Sequence, residues 1–221
     1  MSKTGDAPRP AATLDADSFL DAIRHRQREL GIGVIAFAAV ALTVWFWRGS
    51  VVQKQERAER ALNLAANSYY SGNQALAKTD LEKMVDRYSG TPAGIQGAML
   101  LAQILYEDGQ YDAGVKKLDN VRSAAGSGPF AASLEGLVGS GLADQKKYEE
   151  AARRYEAAAD KSSFSADKDL YRAEAARVLT AAGKKDEARK IWAEIVTRID
   201  SPALGEAKIR LGELMAVPAA R

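Results

Sequence analysis

With 31 Lys and Arg residues against 29 Asp and Glu residues, the 221-residue chain carries a net charge of +2, too little to indicate a nucleic-acid-binding protein. The absence of Cys excludes disulfides and cysteine-based zinc sites, and a single His cannot build a histidine-rich metal site. Hydrophobic residues make up 47% of the chain, Ala and Leu are abundant and there are only six Pro, which favours an all-α fold.

The first 29 residues are predicted to form a tail and a short helix. Residues 1–13 are rich in Pro and Ala, a composition typical of disordered chain. Over residues 14–29, Asp17 or Ser18 is placed to cap a helix whose apolar face includes Phe19. Two roles stay open for this juxtamembrane helix: it anchors the entry to the following apolar run, or it docks a partner.

Residues 30–47 predict a single transmembrane helix. This run, from Leu30 to Trp47, contains no charged residue and spans about 27 Å at about 1.5 Å per residue, close to the thickness of a bilayer core. Trp45 and Trp47 lie at its far end, where aromatic side chains favour the membrane interface. A buried core helix of this length would carry more polar residues. A cleaved signal peptide would have a shorter segment before the run and small residues at its end.

The charges that flank this run leave its orientation open. Within 15 residues of each end, three Arg precede the run and four Lys or Arg follow it. The positive-inside rule depends on an excess of Lys and Arg on one side of the membrane. With nearly equal numbers, charge alone does not place the C-terminal part of the chain.

An internal repeat of 37 residues follows the apolar run. Four columns recur at this spacing: a turn residue, a small residue, a large apolar residue four positions later, and a further apolar or small residue. Their members are Gly72, Gly109, Lys146 and Gly183; Ala77, Gly114, Ala151 and Ala188; Leu81, Leu118, Tyr155 and Trp192; and Met84, Val121, Ala158 and Ile195. Small residues allow two helices to approach closely and large ones fill the space between pairs. The pattern therefore predicts helix pairs stacked into a solenoid.

The first helix of each pair keeps the same register. Small residues recur at Ala65, Ala102, Gly139 and Ala176, and Leu recurs at Leu105, Leu142 and Leu179, with Ser68 as the odd member. The Gly of the turn column is predicted to close the first helix in a left-handed conformation. Lys146 replaces Gly once, which predicts a turn that closes differently there.

The repeat resembles the tetratricopeptide repeat. The family pattern matches Leu101, Ala102, Leu105, Gly109, Tyr111, Gly114, Leu118 and Val121 in the second unit, and Val138, Gly139, Leu142, Tyr148, Ala151, Tyr155 and Ala158 in the third. We therefore predict an all-α protein in which one N-terminal transmembrane helix precedes a tetratricopeptide-type solenoid of about four helix pairs and a C-terminal capping helix. The predicted domain covers 48–217, with units at about 57–91, 94–128, 131–165 and 168–202, a cap at 203–215, and a tail at 218–221.

No catalytic constellation accompanies the repeats, so we expect a protein that is not an enzyme and has no cofactor or metal. The phosphate-binding motif G-x-x-x-x-G-K-[ST] is absent. The acidic residues Asp144, Glu149 and Glu150 fall at a turn and at a helix start, where negative charge favours the helix dipole.

The resemblance implies a groove lined by the first helix of each pair. The residues that the register places there, called the groove residues below, are Tyr69, Tyr70, Met99, Gln103, Tyr106, Glu107, Ser140, Asp144, Arg177 and Thr180. Their aromatic and thioether side chains suit an extended or helical peptide. The alternative is that these side chains pack against the long helix that leaves the membrane.

The whole layout resembles the bacterial YfgM-like family, ancillary subunits of the SecYEG translocon. The shared features are a short tail, one anchor helix, the stalk QKQERAERA and about four repeat units. The resemblance implies a protein of the bacterial inner membrane with a cytoplasmic N-terminus and a periplasmic C-terminal domain. It implies, as partners, translocon subunits, a membrane-anchored prolyl isomerase, periplasmic chaperones or exported client chains, and lipid around one helix. A structural subunit of another membrane complex and a cytoplasmic scaffold are the alternatives.

Overall fold

The computed structural model describes residues 27–216, with side chains from residue 37 onward. This part of the chain forms nine α-helices and contains no β-strand. The helices are α1 (Gln27–Tyr70), α2 (Gln74–Tyr88), α3 (Pro92–Glu107), α4 (Tyr111–Ala125), α5 (Ala131–Asp144), α6 (Tyr148–Lys161), α7 (Ser165–Ala181), α8 (Lys185–Val196) and α9 (Leu204–Met215). The predicted tails at 1–13 and 218–221, and most of the predicted helix at 14–29, lie outside the described residues.

The chain divides into two compact units, residues 1–52 and 53–221. In the first unit, α1 is helical from Gln27 onward, and Trp45 and Trp47 are exposed. Across the residues that the structure describes, no helix combines the length and the apolar character needed to cross a membrane. Leu30, like the rest of residues 30–36 at the start of the predicted span, has its side chain outside the description.

The second unit is a stack of helix pairs. Three-residue connections join α1 to α2, α3 to α4, α5 to α6 and α7 to α8, and such short links make the joined helices antiparallel neighbours. From α2 to α9, each helix packs against the next one in the chain. Four pairs and the single helix α9 result, so the prediction of an all-α repeat solenoid is confirmed.

The repeat columns supply the core of this stack. All twelve residues of the three columns other than the turn column are buried, from Ala77, Leu81 and Met84 in the first pair to Ala188, Trp192 and Ile195 in the last. Burying a side chain of Leu or Ile size contributes roughly 1.5–3 kcal/mol, so these columns provide much of the stability. Ser68, the odd member of the Leu column, is half-buried, and its hydroxyl donates to the Leu64 carbonyl at 3.2 Å.

The four turns between paired helices share one conformation, and the prediction for Lys146 is wrong. The φ angles are 84° at Gly72, 73° at Gly109, 61° at Lys146 and 80° at Gly183. The Lys146 N–H donates to the Ala143 carbonyl at 2.8 Å, and the next N–H donates five residues back at 2.9 Å, as in the other three turns. The packing of α5 against α6 therefore imposes on a lysine the left-handed backbone that glycine adopts freely.

The link between the first and second pairs is also tightly closed. Thr91 caps α3 by accepting a hydrogen bond from the Gly94 N–H at 3.1 Å, and Pro92 follows at the first helical position. Gly94 meets the end of α2 so closely that a Cβ there would lie 1.9 Å from the Tyr88 carbonyl oxygen. Only glycine fits at this contact, which sets how closely α3 follows α2.

A buried carboxylate joins the second and third pairs. The side chain of Glu135 on α5 is only 4% exposed, and it binds Lys161 Nζ at 2.9 Å and Arg154 Nη1 at 3.1 Å. Arg122 on α4 approaches the same carboxylate at 3.9 Å. Because a buried charge is stable only when it is paired, this cluster ties α4, α5 and α6 to one arrangement.

Candidate functional site

The structure brings together three groove residues at the N-terminal end of the stack. The rings of Tyr69 and Tyr70 meet edge to face at 5.5 Å, and Tyr70 is 79% exposed. The Tyr69 hydroxyl donates to Glu107 Oε1 at 2.9 Å, and this bond to a carboxylate raises the pKa of Tyr69. Glu107 also accepts from Gln74 Nε2 at 2.9 Å. An aromatic pair beside a carboxylate therefore stands at the junction of α1, α2 and α3.

Tyr106 serves mainly to pack the second pair against the third. Its hydroxyl donates to the Leu137 carbonyl at 3.1 Å, and burial raises its pKa. A Cβ added at Gly114 would lie 2.4 Å from the Tyr106 ring, and one at Gly141 would lie 2.2 Å from its hydroxyl. The ring thus fills the space that these two glycines leave, so little of Tyr106 is available to a ligand.

Other groove residues differ in how much surface they offer. Gln103 and Asp144 are exposed, whereas Met99 and Ser140 are half-buried and Met99 packs against the core. Beneath Ser140, burial raises the pKa of Tyr155 to about 12. The surface between the N-terminal tyrosine pair and the C-terminal end is therefore a mixture of amide, hydroxyl and carboxylate groups.

Arg177 holds the capping helix α9 in place. Its Nε donates to Glu206 Oε1 at 2.8 Å, its Nη2 donates to the other oxygen of Glu206, and its Nη1 donates to Glu174. The bonds to Glu206 raise the pKa of Arg177 and lower that of the Glu206 carboxyl. All three guanidinium nitrogens are thus engaged within the protein. Sequence reasoning missed Glu206, because this residue lies on α9, outside the helix pairs that the repeat columns describe.

A cleft of about 340 Å³ lies among α7, α8 and α9, and is called the C-terminal cleft below. Its lining consists of Arg177, Thr180, Ala181, Trp192, Arg210, Glu213 and Leu214. Trp192 is completely buried, and its indole N–H has no acceptor. The cleft adjoins two groove residues, Arg177 and Thr180. The sequence did not point to it because nearly half of its lining comes from α9.

The described part of the chain offers surfaces for binding. Between residues 27 and 216, no group of three or more His, Asp or Glu side chains is arranged to hold a metal ion. Besides Tyr70, two exposed apolar side chains lie on α9: Ile209, which is 64% exposed, and Met215, which is 65% exposed.

Comparison with known proteins defines the class. Residues 27–214 match the model of the tetratricopeptide repeat-like domain, so the chain belongs to this family. The chain is a tetratricopeptide-like protein-interaction module, and the fold is typically a scaffold for protein contacts rather than a catalyst. The tetratricopeptide resemblance seen in the repeat columns is confirmed.

Solved structures show the same fold. The nearly identical TPR-like repeats of a putative kinesin light chain from Podosopora anserina align with a TM-score of 0.58 and 18% identity, over 72% of this chain and 86% of that one. A single-substitution variant of the same repeats aligns with the same TM-score and identity. The pilF protein of Pseudomonas aeruginosa aligns with a TM-score of 0.56 and 16% identity, over 74% of this chain and 69% of that one. No curated protein matches the chain.

Proposed function

We propose that this protein is a membrane-anchored adaptor that binds peptide segments of other proteins along its groove residues. The observation that carries the proposal is the exposed pair Tyr69 and Tyr70 beside Glu107, on a family fold that binds proteins. Tyrosine rings supply large contact areas at low entropic cost, and their hydroxyls offer hydrogen bonds to a peptide backbone. Tyr69 is already held by Glu107, so it is preorganised for contact.

The anchor is supported by the uncharged run at residues 30–47 and by the two Trp at its end. The resemblance to the YfgM-like family extends the proposal. The chain would lie in the bacterial inner membrane with its solenoid in the periplasm, beside translocon subunits and a membrane-anchored prolyl isomerase. There it would pass exported chains to periplasmic chaperones.

Topology is tested first. Protease is added to intact spheroplasts that express the full chain with a C-terminal epitope. Digestion of the domain is expected, with a cytoplasmic marker protein left intact as the control. Protection of the domain while a periplasmic marker is cut would contradict the periplasmic placement and would favour a cytoplasmic scaffold.

The partner is tested by photocrosslinking. A photoreactive p-benzoylphenylalanine is placed at Tyr70. In a matched variant it is placed at Asn120, an exposed residue of α4, which is the second helix of its pair. We expect adducts with translocon subunits, periplasmic chaperones or exported chains from position 70 and not from position 120. Equal adducts from both positions, or none from position 70, would contradict the assigned groove.

A second candidate is a permanent structural subunit of another membrane complex. It is favoured by Ile209 and Met215, two large apolar side chains that the last helix leaves exposed. Stoichiometric co-purification that is lost in Ile209→Glu but kept in Lys208→Glu, a neighbouring exposed position, would support this role. Co-purification that both variants retain would count against it.

A further inference from the structure

The first helix pair, at the opposite end of the stack from the C-terminal cleft, leaves open a position that every later pair buries. Leu64 on α1 recurs at the 37-residue spacing as Leu101, Val138 and Ala175. These three residues are completely buried, whereas Leu64 is 68% exposed. An apolar position that has a covering neighbour in three pairs therefore has none in the first, within residues 53–216.

In the later pairs, this position is covered by the second helix of the preceding pair. α3 packs on α2, α5 packs on α4 and α7 packs on α6. A Cβ added at Gly97 on α3 would lie 2.6 Å from Met84 Sδ on α2, and Leu101 follows one turn later on the same side of α3. A helix with large apolar side chains along one side is therefore the shape that fits at Leu64.

A cavity of about 300 Å³ lies beside Leu64, between α1 and α2, and is called the N-terminal cavity below. Its apolar lining is shared by the two helices and consists of Ala61, Leu64, Met84 and Tyr88. Leu64 and this cavity together are called the first-pair face. The cavity is large enough to receive one or two side chains of a helix that packs on this face.

The charges of the N-terminal cavity favour an acidic partner. Its lining carries two cations, Lys83 and Arg87, and one carboxylate, Asp80. Among the residues that the structure describes, none of these three forms a salt bridge. The Arg87 guanidinium instead lies over the ring of Tyr88, 5.6 Å from its centroid. One cation is therefore left in excess, at a place where a carboxylate could pair with it.

Two later pairs show what this cation binds when a carboxylate is present. The position of Arg87 recurs as Lys161 and Arg198. Lys161 binds Glu135 at 2.9 Å and Arg198 binds Asp169, and both carboxylates are buried on the first helix of the same pair. At the two equivalent positions, α1 has alanine instead: Ala61 and Ala58. The first pair thus has the cation without its carboxylate.

We infer that the first-pair face docks an amphipathic helix of a partner protein. Leucine-sized side chains of that helix pack on Leu64, and an Asp or Glu at their margin pairs with Arg87 and Lys83. Because the cavity has a positive excess, the face repels a second copy of itself and selects an acidic helix. It contains none of the groove residues, so the inference does not depend on peptide binding in the groove.

The probe is a synthetic peptide with the sequence of α4, since α4 covers the equivalent face of the third pair. In the protein, Arg122 of α4 approaches Glu135 at 3.9 Å, so residue 122 of a helix bound in the same way lies next to Ala61. The acidic probe carries Arg122→Glu, and the control probe keeps Arg122. Fluorescence anisotropy with the full chain in detergent micelles should show saturable binding of the acidic probe, with a Kd on the order of 100 µM. The control probe should bind at least about tenfold more weakly, because like charges meet.

Three variants of the full chain assign the binding to the first-pair face. Leu64→Arg places a charge at the exposed apolar position and should abolish binding. Arg87→Glu should reverse the preference, so that the control probe binds more tightly than the acidic probe. Lys116→Glu makes the same kind of charge change at an exposed position of α4 and should leave both affinities unchanged. Circular dichroism checks that each variant is folded.

The inference would be overturned if the folded wild-type chain did not bind the acidic probe saturably, or if Leu64→Arg left binding intact. A preference that Arg87→Glu fails to reverse would show that the assigned ion pair is wrong. Analytical ultracentrifugation in the same detergent should give a monomer. A dimer that Leu64→Arg makes monomeric would show that a second copy occupies the face, contrary to the assigned partner. Failure of crosslinking at Tyr70 would weaken the proposed groove and leave this result unaffected.

Discussion

Lys146 occupies the turn position that glycine occupies at Gly72, Gly109 and Gly183, with the same sign of φ and the same hydrogen bonds. A left-handed backbone costs an ordinary residue roughly 1–2 kcal/mol, and here the packed helices on both sides hold it in place. The sequence shows Lys in place of Gly at this turn, from which we predicted a turn that closes differently. A single residue type does not reveal that tertiary packing overrides its preference.

Lys146→Gly is expected to stabilise the protein by about 1 kcal/mol, since relief of the strained backbone exceeds the extra entropy of glycine in the unfolded chain. The measurement is the midpoint of urea unfolding. Lys190→Gly, in the middle of α8, is the control and should destabilise by about 1 kcal/mol. A loss of stability in Lys146→Gly would contradict the assigned strain.

Tyr106 and Tyr155 are expected to make the protein sensitive to alkali. Their folded pKa values are raised by burial, to about 12 for Tyr155, whereas the unfolded chain releases phenol protons near pH 10. Their contribution to stability is therefore complete below about pH 10 and declines as the pH rises above it. Tyrosinate absorbance, followed together with circular dichroism, should show these two groups ionising only as the protein unfolds.

Tyr106→Phe tests this assignment. It removes the hydrogen bond to Leu137 and should cost about 1 kcal/mol at neutral pH. It should also make the loss of stability above about pH 10 less steep, because one raised phenol is gone. An unchanged slope would show that Tyr106 ionises normally.

At the scale of the helices, two salt-bridge clusters hold neighbouring helices in one register. The apolar columns alone would allow these helices to slide along one another. Glu135 joins α4, α5 and α6, and Glu206 joins α9 to α7 through Arg177. The columns predicted which residues are buried because a 37-residue period reports contacts that every pair repeats. Contacts made once, such as these, leave no periodic signal, although Glu135 is the only charged residue of α5 before Asp144.

Glu135→Gln is expected to destabilise the protein by about 1–3 kcal/mol, because three cations lose a shared, buried carboxylate. The measurement is again urea unfolding. Glu56→Gln, which breaks an exposed pair with Arg60 on α1, is the matched control and should change stability by less than about 0.5 kcal/mol. Equal effects in the two variants would show that the cluster is not specially stabilising.

The attachment of α9 is expected to weaken in acid. The pKa of the Glu206 carboxyl is lowered by Arg177, so its contribution is present above its unfolded pKa and is lost as the pH falls through the folded value. The protection factors of the α9 amides, which correct for the intrinsic slowing of exchange in acid, should fall on acidification more than those of the α5 amides. Glu206→Gln should lower the protection of the α9 amides already at neutral pH. Acidification should then change the protection of α9 no more than that of α5.

At the scale of the whole repeat stack, each helix packs mainly against its neighbours in the chain. Stability in such proteins is close to a sum of unit and interface terms, so the ends open before the middle. The resemblance predicted this architecture, but not how far individual groove residues would be used inside it: Tyr106 and Arg177 are committed to packing and to α9. Those contacts depend on the angle between successive pairs, which the spacing of residues along the chain does not report.

Native-state hydrogen exchange should therefore show a gradient. The slowest amides are expected in α5 and α6, which have packed pairs on both sides, and faster ones in α9, which ends the stack. Uniform protection across residues 53–216 would mean that the stack opens as one cooperative block.

The four equivalent turns also make each segment of 37 residues between them a unit that can be removed whole. Since Gly72, Gly109, Lys146 and Gly183 are separated by 37 residues and share one backbone geometry, a segment cut between two equivalent turn positions rejoins ends that already match. Removing residues 110–146 would fuse Gly109 to Lys147 and yield a three-pair protein. A cut a few residues shorter would leave extra residues in the turn, so that the three-residue connection and its left-handed backbone would be lost.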